Sequence, residues 1–74
     1  MINELDIVAL TRSFPKEKLE AGDTGTVVMV HDGGKGYTVE FMTFSGATLG
    51  VLTLESRDVR PLRSSEIAHA REVA

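Results

Sequence analysis

The sequence predicts a small all-β barrel of five short strands, and three observations carry that prediction. Ala21-Gly22-Asp23-Thr24-Gly25 is a tight turn that runs directly into the β-branched stretch Thr26 to Val30. The same order of turn and strand recurs twice downstream. The remaining short β-type runs are divided by Gly, Pro and Asp-Ser turns, until the composition switches to alanine-rich sequence near the C-terminus.

Taken in order, Asp6 to Leu10 is the first strand, with Val8 and Leu10 sharing one face at period two. Thr11 to Gly22 is too polar and irregular for a strand. Between Pro15 and Gly22, Lys16-Glu17-Lys18-Leu19-Glu20 is expected to wind one helical turn that lowers Leu19 onto the barrel as a lid, with Phe14 as a second anchor. Gly25 to His31 is the second strand, and Asp32-Gly33-Gly34-Lys35-Gly36 is a hairpin turn. Tyr37 to Met42 is the third strand, turning Val39 and Phe41 inward and Glu40 to water. Thr43 to Ala47 turns the chain into the fourth strand, Thr48 to Leu54. Glu55 to Asp58 reads as a single tight helical turn, and Val59 to Leu62 as a last, short edge strand marked by Pro61.

The domain therefore covers residues 1–62 and leaves 63–74 as a short C-terminal helical or disordered tail. Ser64-Ser65-Glu66 offers a cap and an acidic first turn, and Ala68 and Ala70 favour helix. The apolar stripe of Ile67, His69, Ala70 and Val73 is thin, so a helix this short stays frayed unless it docks.

A chain of 74 residues makes one domain. At that size only about 60% of the unfolded surface is buried, and the core supplies about 3–5 kcal/mol of net stability. There is no cysteine to add a disulfide or a thiolate metal site. The net charge is −3 and the eight basic residues are scattered. The densest basic segments, Lys16 to Lys18 and Arg57 to Arg63, are interleaved with Glu17 and Asp58, which argues against nucleic acid as a partner. No stretch approaches the ~20 apolar residues of a membrane span, and Glu4 and Asp6 interrupt any signal-like N-terminus. The expected setting is the cytoplasm, away from membranes.

Motifs with chemistry are scarce. Asp32 to Gly36 fits neither a Walker pattern nor a dinucleotide fingerprint, and no helix follows it. His31 and His69 lack ligand spacing, and a metal would need Asp23, Asp32 or Glu40 to converge on them. Ser13, Ser45, Ser56, Ser64 and Ser65 fall in turns or at a cap, where hydroxyls bond backbone amides. So small a barrel offers no obvious cleft in which to shift a carboxyl group. The expectation is a protein that is no enzyme and holds no cofactor and no metal.

One feature exceeds the needs of a monomer. The fourth strand is apolar on both faces, Leu49 and Val51 on one and Leu52 and Leu54 on the other. In the second strand Val27 and Met29 likewise alternate with Val28 and Val30. Either bulges break the alternation and bring both sets to the core, or an outer apolar patch docks on a partner or a second copy. The candidate interaction surface is Val28, Val30, Phe44, Leu52 and Leu54. Burying each leucine there would contribute about 1.5–3 kcal/mol.

The segments Glu4 to Leu10, Gly22 to Val28, Tyr37 to Phe41, Leu52 to Leu54 and Asp58 to Leu62 resemble the short bacterial proteins grouped as domain of unknown function 4926. That resemblance implies an SH3-like barrel and brings no established activity. Gly25-Thr26-Val27 and Val39-Glu40-Phe41 are also similar to the small SH3-like accessory subunits of photosynthetic electron-transfer complexes, which dock onto larger enzymes and hold no cofactor. Gly22 to Val30 resembles the KOW motif of ribosomal and transcription-factor barrels, without the basic residues that accompany RNA contact there. The expected function is a non-catalytic interaction or accessory module, self-associating or of the immunity or antitoxin kind. The alternative is a KOW-like nucleic-acid-binding module with Lys35, Arg57 and Arg60 on phosphates.

Overall fold

Five antiparallel strands form one sheet in the computed structural model, which describes residues 1–73. Ala74, the last residue of the expected tail, lies outside the described residues. The strands are β1 (Ile7–Leu10), β2 (Thr24–His31), β3 (Gly36–Met42), β4 (Thr48–Glu55) and β5 (Val59–Pro61), in the order β4-β3-β2-β1-β5. Each strand expected from the sequence is present, with one end shifted by a single residue.

The sheet does not close into a barrel through hydrogen bonds. β5 is only three residues long and ends on Pro61, which has no N–H to offer. Both β4 and β5 are therefore edges. The sheet nevertheless curls. A flat five-stranded sheet would hold its outer strands about 19 Å apart, yet Leu54 of β4 and Val59 of β5 share one core with Val8, Leu10, Leu19, Val27, Tyr37, Val39 and Phe41.

Two bulges shape the curl. Val27 pairs with Val39 and Met29 with Thr38, so Val28 is the extra residue of β2. Gly50 pairs with Phe41 and Thr48 with Met42, so Leu49 is the extra residue of β4. The first bulge resets the period of β2, sending Val27 and Val30 inward and leaving Val28 and Met29 exposed.

The long first loop does what its sequence promised, through a shorter helical turn. Pro15–Glu17 is one turn of 3-10 helix, ended by Lys18 at φ 61, and Phe14 and Leu19 bond each other as an isolated bridge. Leu19 is buried and Phe14 packs partly against the core. A second 3-10 turn, Ser56–Asp58, joins β4 to β5. Asp58 holds it together: Oδ2 accepts the Glu55 N–H at 3.0 Å and Oδ1 accepts Arg12 Nε at 2.9 Å. Burial opposes the charge on Asp58, but the bonds from Arg12 and the Glu55 amide outweigh it and hold the carboxyl below its usual range.

Of the two forms expected for the tail, the helical one is absent among the described residues. Glu66 is drawn back onto Arg60, whose two terminal nitrogens donate to it at 2.8 and 2.7 Å, and onto the Arg63 N–H at 2.6 Å. That closes a turn where a helix would have begun. Bonded first by Arg60, Glu66 has its pKa lowered to about 2. Further on, Arg71 returns to the first loop, donating from Nε to Asp23 Oδ1 at 2.9 Å, from a terminal nitrogen to Asp23 Oδ2, and to the Lys18 carbonyl at 3.1 Å. No helix among the described residues is long and apolar enough to cross a membrane.

Candidate functional site

The five residues expected to form an interaction surface divide between inside and outside. Leu54 is part of the core at 5% exposure, and Val30 and Leu52 pack against it half-buried. Val28, at the bulge, is 40% exposed, and Phe44, at the tip of the β3–β4 turn, is 100% exposed. For Leu54 this is a correction with a plain cause, and Leu52 shares its face at the rim. Leu54 pairs with Tyr37 and Leu52 with Val39, so both point to the buried face of β3. The outward side chains of β4 are Val51 and Thr53, which pair with Glu40 and Thr38.

The structure brings other apolar groups together on that outer face. Ile7, Thr26, Glu40 and Val51 form one row across β1, β2, β3 and β4. Met29, Thr38 and Thr53 form the next. Ile7, Met29 and Val51 are each about half exposed, and Met42 and the bulged Leu49 continue the apolar ground toward Phe44. The polar members bond one another: Thr48 Oγ1 donates to Glu40 Oε2 at 3.0 Å, and His31 Nε2 and Thr38 Oγ1 lie 2.7 Å apart.

The two edges of the sheet are built differently. β5 is short and ends on proline, two ordinary ways of blunting an edge. β4 has eight residues, Thr-Leu-Gly-Val-Leu-Thr-Leu-Glu, with no lysine, no proline and one charge, Glu55, at its end, so the bulge at Leu49 is its one blunting feature. An edge of that length and character presents a row of backbone N–H and C=O groups free to pair with another strand.

Gly50 lies within this edge, beside the bulge at Leu49, and neither a positive φ nor a close neighbour among the described residues requires it. Gly22, Gly33, Gly34 and Gly46 have φ between 68° and 112°, and a Cβ on Gly25 or Gly36 would come within 2.6 or 3.1 Å of a neighbour. At Gly50 the backbone is not left-handed and an added Cβ would meet nothing within 4 Å. A glycine inside a strand weakens it and marks a place where something approaches closely.

Two shallow hollows open among the described residues. One lies beside the hairpin, lined by His31, Asp32, Lys35, Thr53 and Glu55, and one beside the first loop, lined by Arg12, Phe14 and Pro15. In the second the Arg12 guanidinium sits 4.1 Å from the Phe14 ring centre, so its cationic face is already occupied.

The family model for a domain of unknown function, DUF4926, matches residues 4–61. The chain belongs to this family. No curated protein and no solved structure matches it. The matched span takes in all five strands of the DUF4926 domain and both 3-10 turns, and ends where the tail begins. The unprotected β4 edge and Gly50 therefore lie in the part that defines the family. Sequence reasoning overlooked them because an edge strand is a property of topology. A signal was available: Gly50 interrupts an otherwise β-branched and leucine-rich run.

Proposed function

We propose that this DUF4926 domain is a non-catalytic, cytoplasmic protein-interaction module that docks another polypeptide along the β4 edge. The observation that carries this reading is the contrast between the two edges. One is blunted by length and proline, the other is long, apolar and open. Val51 and Leu49 beside it supply the apolar ground that would fix an incoming strand in register. An accessory subunit, an immunity-type partner or a self-associating protein would each use such an edge.

Nucleic acid is the weaker reading. Of its three candidate phosphate contacts, Arg57 bonds Glu55 at 3.1 Å and Arg60 is held by both oxygens of Glu66. That leaves Lys35, too little for a backbone track.

A photo-crosslinking residue placed at position 51 in living cells tests the proposal. It should give a discrete protein adduct, while the same residue at position 35, on the hairpin tip, should not. Absence of any adduct from position 51 would refute docking at this edge.

A further inference from the structure

The reading of β4 as a docking edge rests on one strand, and its sequence also specifies an occupant. We infer that the strand that pairs with β4 is β4 of a second copy, antiparallel, about a two-fold axis through Val51. In that register Val51 faces Val51 of the second copy on the outer face, a β-branched pair of the kind strands favour. Residues whose numbers add to 102 then lie opposite, so Leu52 of each copy falls across from Gly50 of the other, both on the buried face.

Two observations select this occupant. Leu52 is half-buried at the rim of its own core, and the position of a Gly50 side chain is open space. Each protomer thus sets a leucine at the rim of its core opposite the open position of its twin's Gly50. The charges agree. Glu55, the one charged residue of β4, lies four positions from the axis at Val51 and does not face its own copy, so the pairing sets no like charges against each other. A closed two-fold contact also satisfies both free edges at once and leaves no further β4 edge to propagate a fibre.

Sedimentation equilibrium of the full chain tests this with three variants. Wild type should approach twice the 8.0 kDa chain mass as its concentration rises toward about 1 mM. Gly50→Val starts from a Cβ that meets nothing within 4 Å in its own chain, so it should weaken the dimer about tenfold or more while the monomer unfolds at no lower temperature. Val51→Lys, on a side chain already 54% exposed, should do the same by setting two cations face to face. Phe44→Ser, off the strand, should leave the dimer intact. A wild type that stays at the mass of one chain, or a dimer indifferent to both Gly50→Val and Val51→Lys, overturns the inference. The crosslink at position 51 separates this failure from that of the docking proposal. An adduct of two identical chains supports both, an adduct to a different protein refutes only self-pairing, and no adduct refutes both.

Discussion

Replacing Gly25 by alanine should destabilise the domain by about 2 kcal/mol, although it adds a single carbon to a strand. The added Cβ would lie 2.6 Å from Val39 Cγ1, 2.8 Å from Phe41 Cε1 and 2.9 Å from the Glu40 carbonyl oxygen. Carbon atoms in contact prefer about 3.5–4.0 Å, so three neighbours must each retreat by most of an ångström. They have little room to do so. Val39 and Phe41 are at most 1% exposed, and the third contact is backbone. Overpacking of this kind costs about 1–3 kcal/mol, and three contacts below 3 Å put this site at the upper end. Against it stands about 0.4–1 kcal/mol gained because alanine has less freedom than glycine in the unfolded chain. The clash wins, and it takes roughly half the stability expected of a core this size. With a urea slope near 1 kcal/mol per molar for a small domain, the unfolding midpoint should fall by about 2 M in equilibrium denaturation followed by circular dichroism. A variant whose midpoint stays within about 0.3 M of wild type would refute the claim that Gly25 exists to let β2 and β3 approach.

Leu54→Ala should cost about 2–5 kcal/mol in the same titration, because the side chain is core, whereas Phe44→Ser should change stability by less than about 0.5 kcal/mol. Asp58→Ala should cost about 1–3 kcal/mol by removing the acceptor of Arg12 and of the Glu55 amide, and hydrogen exchange should show the Ser56–Asp58 turn opening. The carboxyls of Asp23, Asp58 and Glu66 are all held below their usual range, Asp23 first by its bond from Arg71. Groups with depressed folded-state pKa values stabilise above their unfolded values and lose that contribution as pH falls through the folded ones. The urea midpoint should therefore hold from pH 7 to about 5 and drop progressively toward pH 2, with a shallower drop in Asp58→Asn. Arg71→Ala should release the tail without unfolding the sheet, seen as a loss of order in residues 67–73 by backbone relaxation while β1 to β5 are unchanged.

Much of this architecture was legible in the residues because its cues are local. Gly33 and Gly34 at the hairpin, Pro15 at the first turn, Pro61 at the short edge and the Val39–Phe41 alternation each depend on neighbours in sequence. Leu19 as a lid was legible for the same reason, being the one apolar residue between Lys16 and Glu20. What escaped depends on contacts far apart in the chain. Period two groups Val28 with Val30, but the bulge at Val28 resets the count and sends Val30 inward with Val27. In β4 the alternation holds from Gly50 to Leu54, past the bulge at Leu49, and separates Val51 from Leu52 and Leu54. Which set faces the core was decided by pairing with Val39 and Tyr37. The tail's anchor spans 48 positions from Asp23 to Arg71, and nothing local announces it. Gly25 reads as a turn residue, yet its role is steric, set by two side chains on the adjacent strand.

Hydrogen exchange of the β4 amides as a function of protein concentration reads pairing at this edge amide by amide. Alternate amides of Thr48–Glu55 point away from β3 and have no partner within the chain. In dilute protein they should exchange near the rate of unstructured peptide. As the concentration rises they should slow together, while the amides of β1 and β5 keep their rates. Exchange at those β4 amides that is fast at every concentration would contradict pairing at this edge.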